Sequence, residues 1–105
     1  RVPLATFARL ARVESRCDPT AVSPRGALGL FQVMPETGRA YGISSDHEFF
    51  SPGANARVAA AHLDDLLDQF GSDLDLALTA YNWGSDRTIN GVTTREFSRK
   101  VRGIK

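Results

Sequence analysis

The chain has 105 residues, 13 basic and 12 acidic, with 42% hydrophobic and 24% charged positions. That is enough to bury a modest core as one domain, residues 1–105, without metals or disulfides. The near-neutral balance removes any general pull toward nucleic acid or an anionic surface, and no apolar run approaches the ~20 residues that span a bilayer as a helix. The lone Cys17 has no partner for an internal disulfide. The start at Arg1, with no apolar leader stretch, reads as an excised or processed domain without a signal peptide.

Pro3 suits the first turn of a helix, followed at helical spacing by Leu4, Phe7, Ala8, Ala11 and Ser15. Asp18-Pro19 stops it. Glu14 falls near Phe7, on the edge of that stripe. Ser23-Pro24-Arg25-Gly26 reads as a turn, and residues 27–34 as a short helix stopped by Pro35. Another turn of helix follows from Thr37 to Tyr41, closed by Gly42. Residues 43–51 form a polar loop. Ser51-Pro52 then opens a long helix from about Gly53 to Phe70, with Ala59, Leu63, Leu66, Leu67 and Phe70 inward and Asp64, Asp65 and Asp68 outward. Asp73 caps a further helix to Tyr81, and Thr93–Glu96 matches a capping box for a last one carrying Phe97 and Val101. No long alternating pattern is present, so the expectation is all-α.

Taken alone, a helix-end carboxylate is more often solvated than functional. Glu14, however, sits against apolar residues, where desolvation favours the protonated acid that a glycosidic oxygen requires. Gln32 lies among Leu30, Phe31, Val33 and Met34, and a buried amide needs partners. Tyr81, Asn82 and Trp83 combine ring faces with an amide, as saccharide sites do. His47 and His62 are too isolated for a zinc site or a serine-type triad, and no phosphate loop or EF-hand is found. No metal or cofactor is expected.

Glu14-Ser15, then Gly29-Leu30-Phe31-Gln32-Val33-Met34-Pro35, then Ala80-Tyr81-Asn82-Trp83-Gly84, resemble the successive motifs of the soluble lytic transglycosylase (SLT) family, whose fold is goose-type lysozyme-like. Asn55, Thr94-Arg95, Phe97, Lys100 and Val101 also resemble family positions. The resemblance implies cleavage of the MurNAc-β-1,4-GlcNAc bond of peptidoglycan, with Glu14 first as acid and then as base, leaving a 1,6-anhydro end. It implies Ser15, Gly29, Phe31, Gln32, Met34, Tyr81 and Asn82 as substrate-binding residues. It further implies glycan strands as the partner and a cell-wall-facing or periplasmic setting, secreted or virion-delivered. Domains of this type are expected within a larger parent protein, a secretion apparatus or a phage particle. Three departures stand at the C-terminal wall of the cleft: a short 85–92 connection, Phe97 in place of the family's tyrosine, and Thr93-Thr94-Arg95 without its usual Glu-Thr. The alternatives are a goose-type hydrolase, which needs a second carboxylate to hold water, and a non-catalytic peptidoglycan-binding module.

Overall fold

The computed structural model describes residues 1–86. Among these, four α-helices appear in order, α1 (Leu4–Ser15), α2 (Pro35–Ala40), α3 (Pro52–Gln69) and α4 (Leu74–Asp86), with a 3-10 turn at Asp46–Phe50. Among the described residues no strands form beyond isolated bridges joining Val22 to Leu28 and Leu28 to Val33. Helix α3 is the axis of the fold, packing against α4, the 3-10 turn and α2. The core gathers Leu10 and Ala11 of α1, Phe31 and Val33, Phe49, Val58, Ala59, Leu63, Leu66 and Leu67 of α3, and Ala77, Leu78 and Tyr81 of α4.

Local chemistry explains the boundaries. Pro3 is the N-cap of α1, and Arg16 and Cys17 end that helix at φ 56° and 61°, before Asp18-Pro19 is reached. Pro35 and Pro52 occupy the first positions of α2 and α3, where a missing N–H is harmless. Asp73 caps α4 as expected, its carboxylate accepting the Leu76 N–H at 3.1 Å. Helix α4 runs on past Tyr81 to Asp86. The capping box at Thr93–Glu96, the helix carrying Phe97 and Val101, and the 85–92 connection beyond Asp86 lie outside the described residues.

Three expectations change. Helix α1 is rotated by roughly a quarter turn from the expected stripe: Leu4 is 82% exposed and Ala8 is exposed, while Thr6, Leu10 and Ala11 are buried. The inward set is Phe7, Leu10, Ala11 and Glu14, spaced i, i+3, i+4, i+7. The loop at 43–51 is less polar than it reads: Phe49 is buried and its ring lies over Gly38, where a Cβ would stand 2.2 Å from it. Glu48 closes the 3-10 turn through Ser45 and Ser44, and these hydrogen bonds hold its carboxyl below the usual carboxylate range.

The third change matters most: residues 27–34 are not a helix. Leu28 and Val33 exchange backbone hydrogen bonds at 2.9 and 3.0 Å, so residues 29–32 form a tight loop between them. Gly29 lies at φ 80° and Gln32 at φ 52°, both in the left-handed region that an α-helix excludes. For Gln32 that conformation carries roughly 1–2 kcal/mol of strain. Phe31 stacks on Phe7 of α1, and Val33 shares a pocket wall with Val58 and Ala59 of α3, so the segment needs no helical face of its own.

Candidate active site

The loop at 28–32 is held by one side chain from each of three helices. From the end of α1, the Ser15 hydroxyl donates to the Leu30 carbonyl at 2.7 Å. From α3, Asn55 has no exposure at all; its Oδ1 accepts the Phe31 N–H at 2.8 Å, and its Nδ2 donates to the carbonyls of Leu28 at 3.0 Å and Phe49 at 2.8 Å. From α4, the buried Tyr81 hydroxyl donates to the Phe31 carbonyl at 2.7 Å. The rings of Phe7 and Phe31 stack at 4.3 Å, adding a fourth tie between α1 and the loop. A buried loop must satisfy its backbone groups somewhere, and here three helices do it.

Within the loop the Gln32 amide folds back, donating to Gly29 O at 2.9 Å and Ala21 O at 3.2 Å. Those bonds offset the strain at its positive φ. Gly29 is required for a different reason: a Cβ there would meet Phe49 O at 2.2 Å and Asn55 Nδ2 at 2.5 Å. The N–H of Gly29 donates to Ala21 O, and its carbonyl accepts from Gln32, so both its polar groups have partners within the chain. The same is true of Phe31.

Glu14 is half-buried at the C-terminal end of α1, next to Ser15. Burial pushes the Tyr81 phenol well up, and the Glu14 carboxylate pushes it further. The acid of α1 therefore lies close enough to the tyrosine of α4 for its charge to be felt there. Asn82, beside Tyr81, is 5% exposed. A pocket of about 260 Å³, counting its open mouth, lies alongside, lined by Gln32, Val33, Met34, Thr37, Val58, Ala59, His62 and Tyr81. The structure thus brings Glu14, Ser15, Gly29, Phe31, Gln32, Met34, Tyr81 and Asn82 to one region where α1, the loop and α4 meet. Asp18, the acid closest in sequence to Glu14, is turned onto Thr20: it accepts from the Thr20 N–H and hydroxyl, and these bonds lower its pKa.

Two residues of this region escaped the sequence reading as site residues. Asn55 had a legible signal, since it stands four residues before the inward Ala59 on α3, and an amide on an apolar face must be partnered. His62 had a weaker one. It lies between the rings of Tyr41 and Tyr81, at centroid distances of 5.7 and 5.5 Å, and burial lowers its pKa against a smaller opposing pull from Asp65. Among the described residues no cluster of metal-ligating side chains occurs, and no helix is long and apolar enough to cross a membrane.

A model of the family described as "Transglycosylase SLT domain" matches residues 1–101. The transglycosylase of Enterobacteria phage PRD1 is 34% identical over 94 residues, covering 90% of this chain and 34% of that protein. The 70 kDa soluble lytic transglycosylase of Escherichia coli superposes with a TM-score of 0.82 at 27% identity, over 96% of this chain and 21% of that one. An inactive Glu-to-Gln mutant of the lytic transglycosylase Slt from Pseudomonas aeruginosa superposes at 0.74 with 29% identity, over 92% and 20%. The chain therefore spans about a third of its phage relative and about a fifth of each solved protein.

Proposed function

The chain belongs to the Transglycosylase SLT domain family, and on that premise we propose that it is a peptidoglycan lytic transglycosylase with Glu14 as its acid and base. The observation that carries the proposal is the placement of Glu14, half-buried on the inward face of α1 with its charge acting on the buried Tyr81. Support comes from the solved relative whose Glu-to-Gln mutant is inactive. The other described glutamates are poor candidates for that role. Glu36 is exposed on the first turn of α2, and Glu48 is engaged by Ser44 and Ser45.

Protonated Glu14 donates its proton to the oxygen bridging MurNAc and GlcNAc as the C1–O bond breaks. The carboxylate then takes the proton of the MurNAc C6 hydroxyl, whose oxygen bonds to C1. The products are a 1,6-anhydro end and a free GlcNAc hydroxyl, and Glu14 is returned to its acid form with no water consumed. A second carboxylate to hold water is not required, consistent with Asp18 being occupied by Thr20. The sugar's own acetamido oxygen stabilises the charge developing at C1. Tyr81 and Asn82 hold Glu14 and the sugar amide in register, while Met34 and Gln32 border the saccharide through the adjoining pocket. Gly29, Phe31 and Ser15 contribute by fixing the loop. The natural setting is the cell wall, as part of a longer protein; the PRD1 relative favours a phage particle as one such parent.

The test is mass spectrometry of purified peptidoglycan after incubation with the domain and with Glu14→Gln. Muropeptides with 1,6-anhydro ends are expected from the wild type. General acid catalysis contributes about 10²- to 10⁴-fold, so the variant should fall by at least that range at an unchanged melting temperature. Reducing ends would move the chain to the hydrolases. Folded protein that binds wall without cutting it would make it a binding module, and full activity in Glu14→Gln would remove the catalytic assignment.

A further inference from the structure

The described saccharide pocket holds one titratable side chain that the cleavage chemistry does not use. His62 projects from the middle of α3 into the pocket wall, beside Val58 and Ala59 of its own helix and across from Gln32, Met34 and Thr37. Its ring is held between Tyr41, at the end of α2, and Tyr81 of α4. Tyr41 is itself fixed, its hydroxyl donating to the Asp65 carboxylate; desolvation and that carboxylate push its phenol up to about 12. The titratable groups facing the imidazole among the described residues are thus Tyr41 from α2, Asp65 from α3 and Tyr81 from α4, with Glu14 of α1 acting on Tyr81. Both phenols stay neutral and protonated through the physiological range. His62 is the group there that changes charge on the acid side of neutrality, since burial lowers its pKa.

The pocket is small and two-natured. Its interior leaves only about 20 Å³ for the centre of a water-sized group, room for a methyl-sized substituent and far too little for a whole ligand. Val33, Met34, Val58 and Ala59 give it an apolar wall, and Gln32, Thr37 and His62 give it polar atoms. An apolar wall with hydrogen-bonding groups at its rim suits a short substituent that pairs a methyl with an amide. N-acetyl groups on the sugars of a glycan strand have that character.

We propose that His62 is a specificity-determining residue of this pocket, its neutral imidazole hydrogen-bonding the acetamido group of a bound sugar, so that its protonation weakens binding. The inference rests on the saccharide-cleaving reading above and adds the pocket's ligand and its pH dependence. The sign follows from the surroundings. Burial already disfavours the charged ring, and a sugar closing over it removes further water, so substrate binds the neutral form more tightly. By linkage, kcat/KM falls as pH drops through the free-enzyme pKa of His62, on the acid side of its ordinary 6.5.

Two measurements decide it. The first follows the imidazole resonances of Glu14→Gln by NMR while a GlcNAc–MurNAc tetrasaccharide is added, with the exposed His47 as internal control. His62 should shift and its apparent pKa should fall at saturation, His47 should not move, and the de-N-acetylated tetrasaccharide should leave His62 unmoved. The second compares kinetics on soluble glycan strands. His62→Gln should raise KM roughly five- to tenfold at pH 7, the scale of one hydrogen bond, and should lose the acid limb of kcat/KM while kcat changes less than about twofold. His62→Phe keeps a ring between the two tyrosines, so it guards against a folding defect and should show the same KM increase at wild-type melting temperature. Unmoved His62 resonances at saturating sugar, or an acid limb and KM unchanged in both variants, would overturn the proposal. Absence of anhydro products from the wild type would count against the reaction assigned to Glu14, and the NMR titration would still decide whether His62 meets the acetamido group.

Discussion

Replacing Asn55 by aspartate changes one NH₂ group to oxygen and tests the claim that α3 holds the site loop through that amide. The carboxylate keeps an acceptor for the Phe31 N–H. Its second oxygen, however, faces the carbonyls of Leu28 and Phe49, which the native Nδ2 meets at 3.0 and 2.8 Å. Each buried carbonyl left without a donor costs about 1–3 kcal/mol, so the pair costs about 2–6 kcal/mol, and desolvation of the new charge adds to it. A domain of this size has about 5–15 kcal/mol in total and loses about 4–8 °C of melting temperature per kcal/mol, so a drop of at least about 10 °C is expected at pH 7.5. In the fold the introduced group is best accommodated protonated, donating to one of the two carbonyls, so its folded-state pKa lies above the unfolded value of about 3.9. The folded variant then binds more protons than the unfolded chain between those two values, and its stability falls as pH rises through that window. Melting followed by circular dichroism at pH 5 and pH 7.5 should show the gap to wild type widening at the higher pH. A variant within about 1 kcal/mol of wild type at pH 7.5, or a gap that does not narrow at pH 5, would refute the reasoning.

Two further substitutions examine the same loop. Gly29→Ala should cost about 2–4 kcal/mol in urea unfolding, combining left-handed backbone strain with the overlap of a Cβ on Phe49 O and Asn55 Nδ2. Gly42→Ala, at φ 99° with nothing within 4 Å, is the control and should cost only the strain, about 1–2 kcal/mol; equal losses at the two sites would contradict the packing argument. Tyr81→Phe removes the hydroxyl that donates to Phe31 O and should cost about 1–3 kcal/mol while lowering turnover. A loss under about 0.5 kcal/mol would mean that the carbonyl has another donor.

What the sequence made legible here, and what it hid, divides along a physical line. Helix α3 was readable almost to the residue, because Ser51-Pro52 opens a long stripe of period 3.6 that runs out at Phe70. The cap of α4 at Asp73 was readable for the same kind of reason, a local hydrogen bond between near neighbours. The site loop was not, because its conformation is imposed from outside. Residues 27–34 carry the composition of a buried helix, and the bonds from Ser15, Asn55 and Tyr81, which lie 15, 24 and 50 positions from their partners, help make a tight loop the better state. The face of α1 was ambiguous in a related way: Leu4 and Ala8 support one stripe, Phe7, Leu10 and Ala11 another. Phe31 stacking on Phe7 favours the second.

That rotation has a functional consequence. In the stripe expected from the sequence, Glu14 lies at the edge and owes its half-burial to chance. In the observed one it follows Phe7, Leu10 and Ala11 in step, on the face directed at the core, and stays only half-buried at the helix end, with α1 finishing one residue later. Ser15 then ties that helix end to the Leu30 carbonyl, so the position of the acid and the shape of the loop are set by adjacent residues. Tyr81 joins the other end of the arrangement: its hydroxyl holds the loop and its phenol feels the Glu14 charge. A strained loop, buried and bonded from three helices, is a costly way to fill a core that Leu and Ala would fill more simply. It is a sound way to hold an acid, a strained Gln32 and a pocket in fixed relation, and that is the physical reason for reading this region as a site.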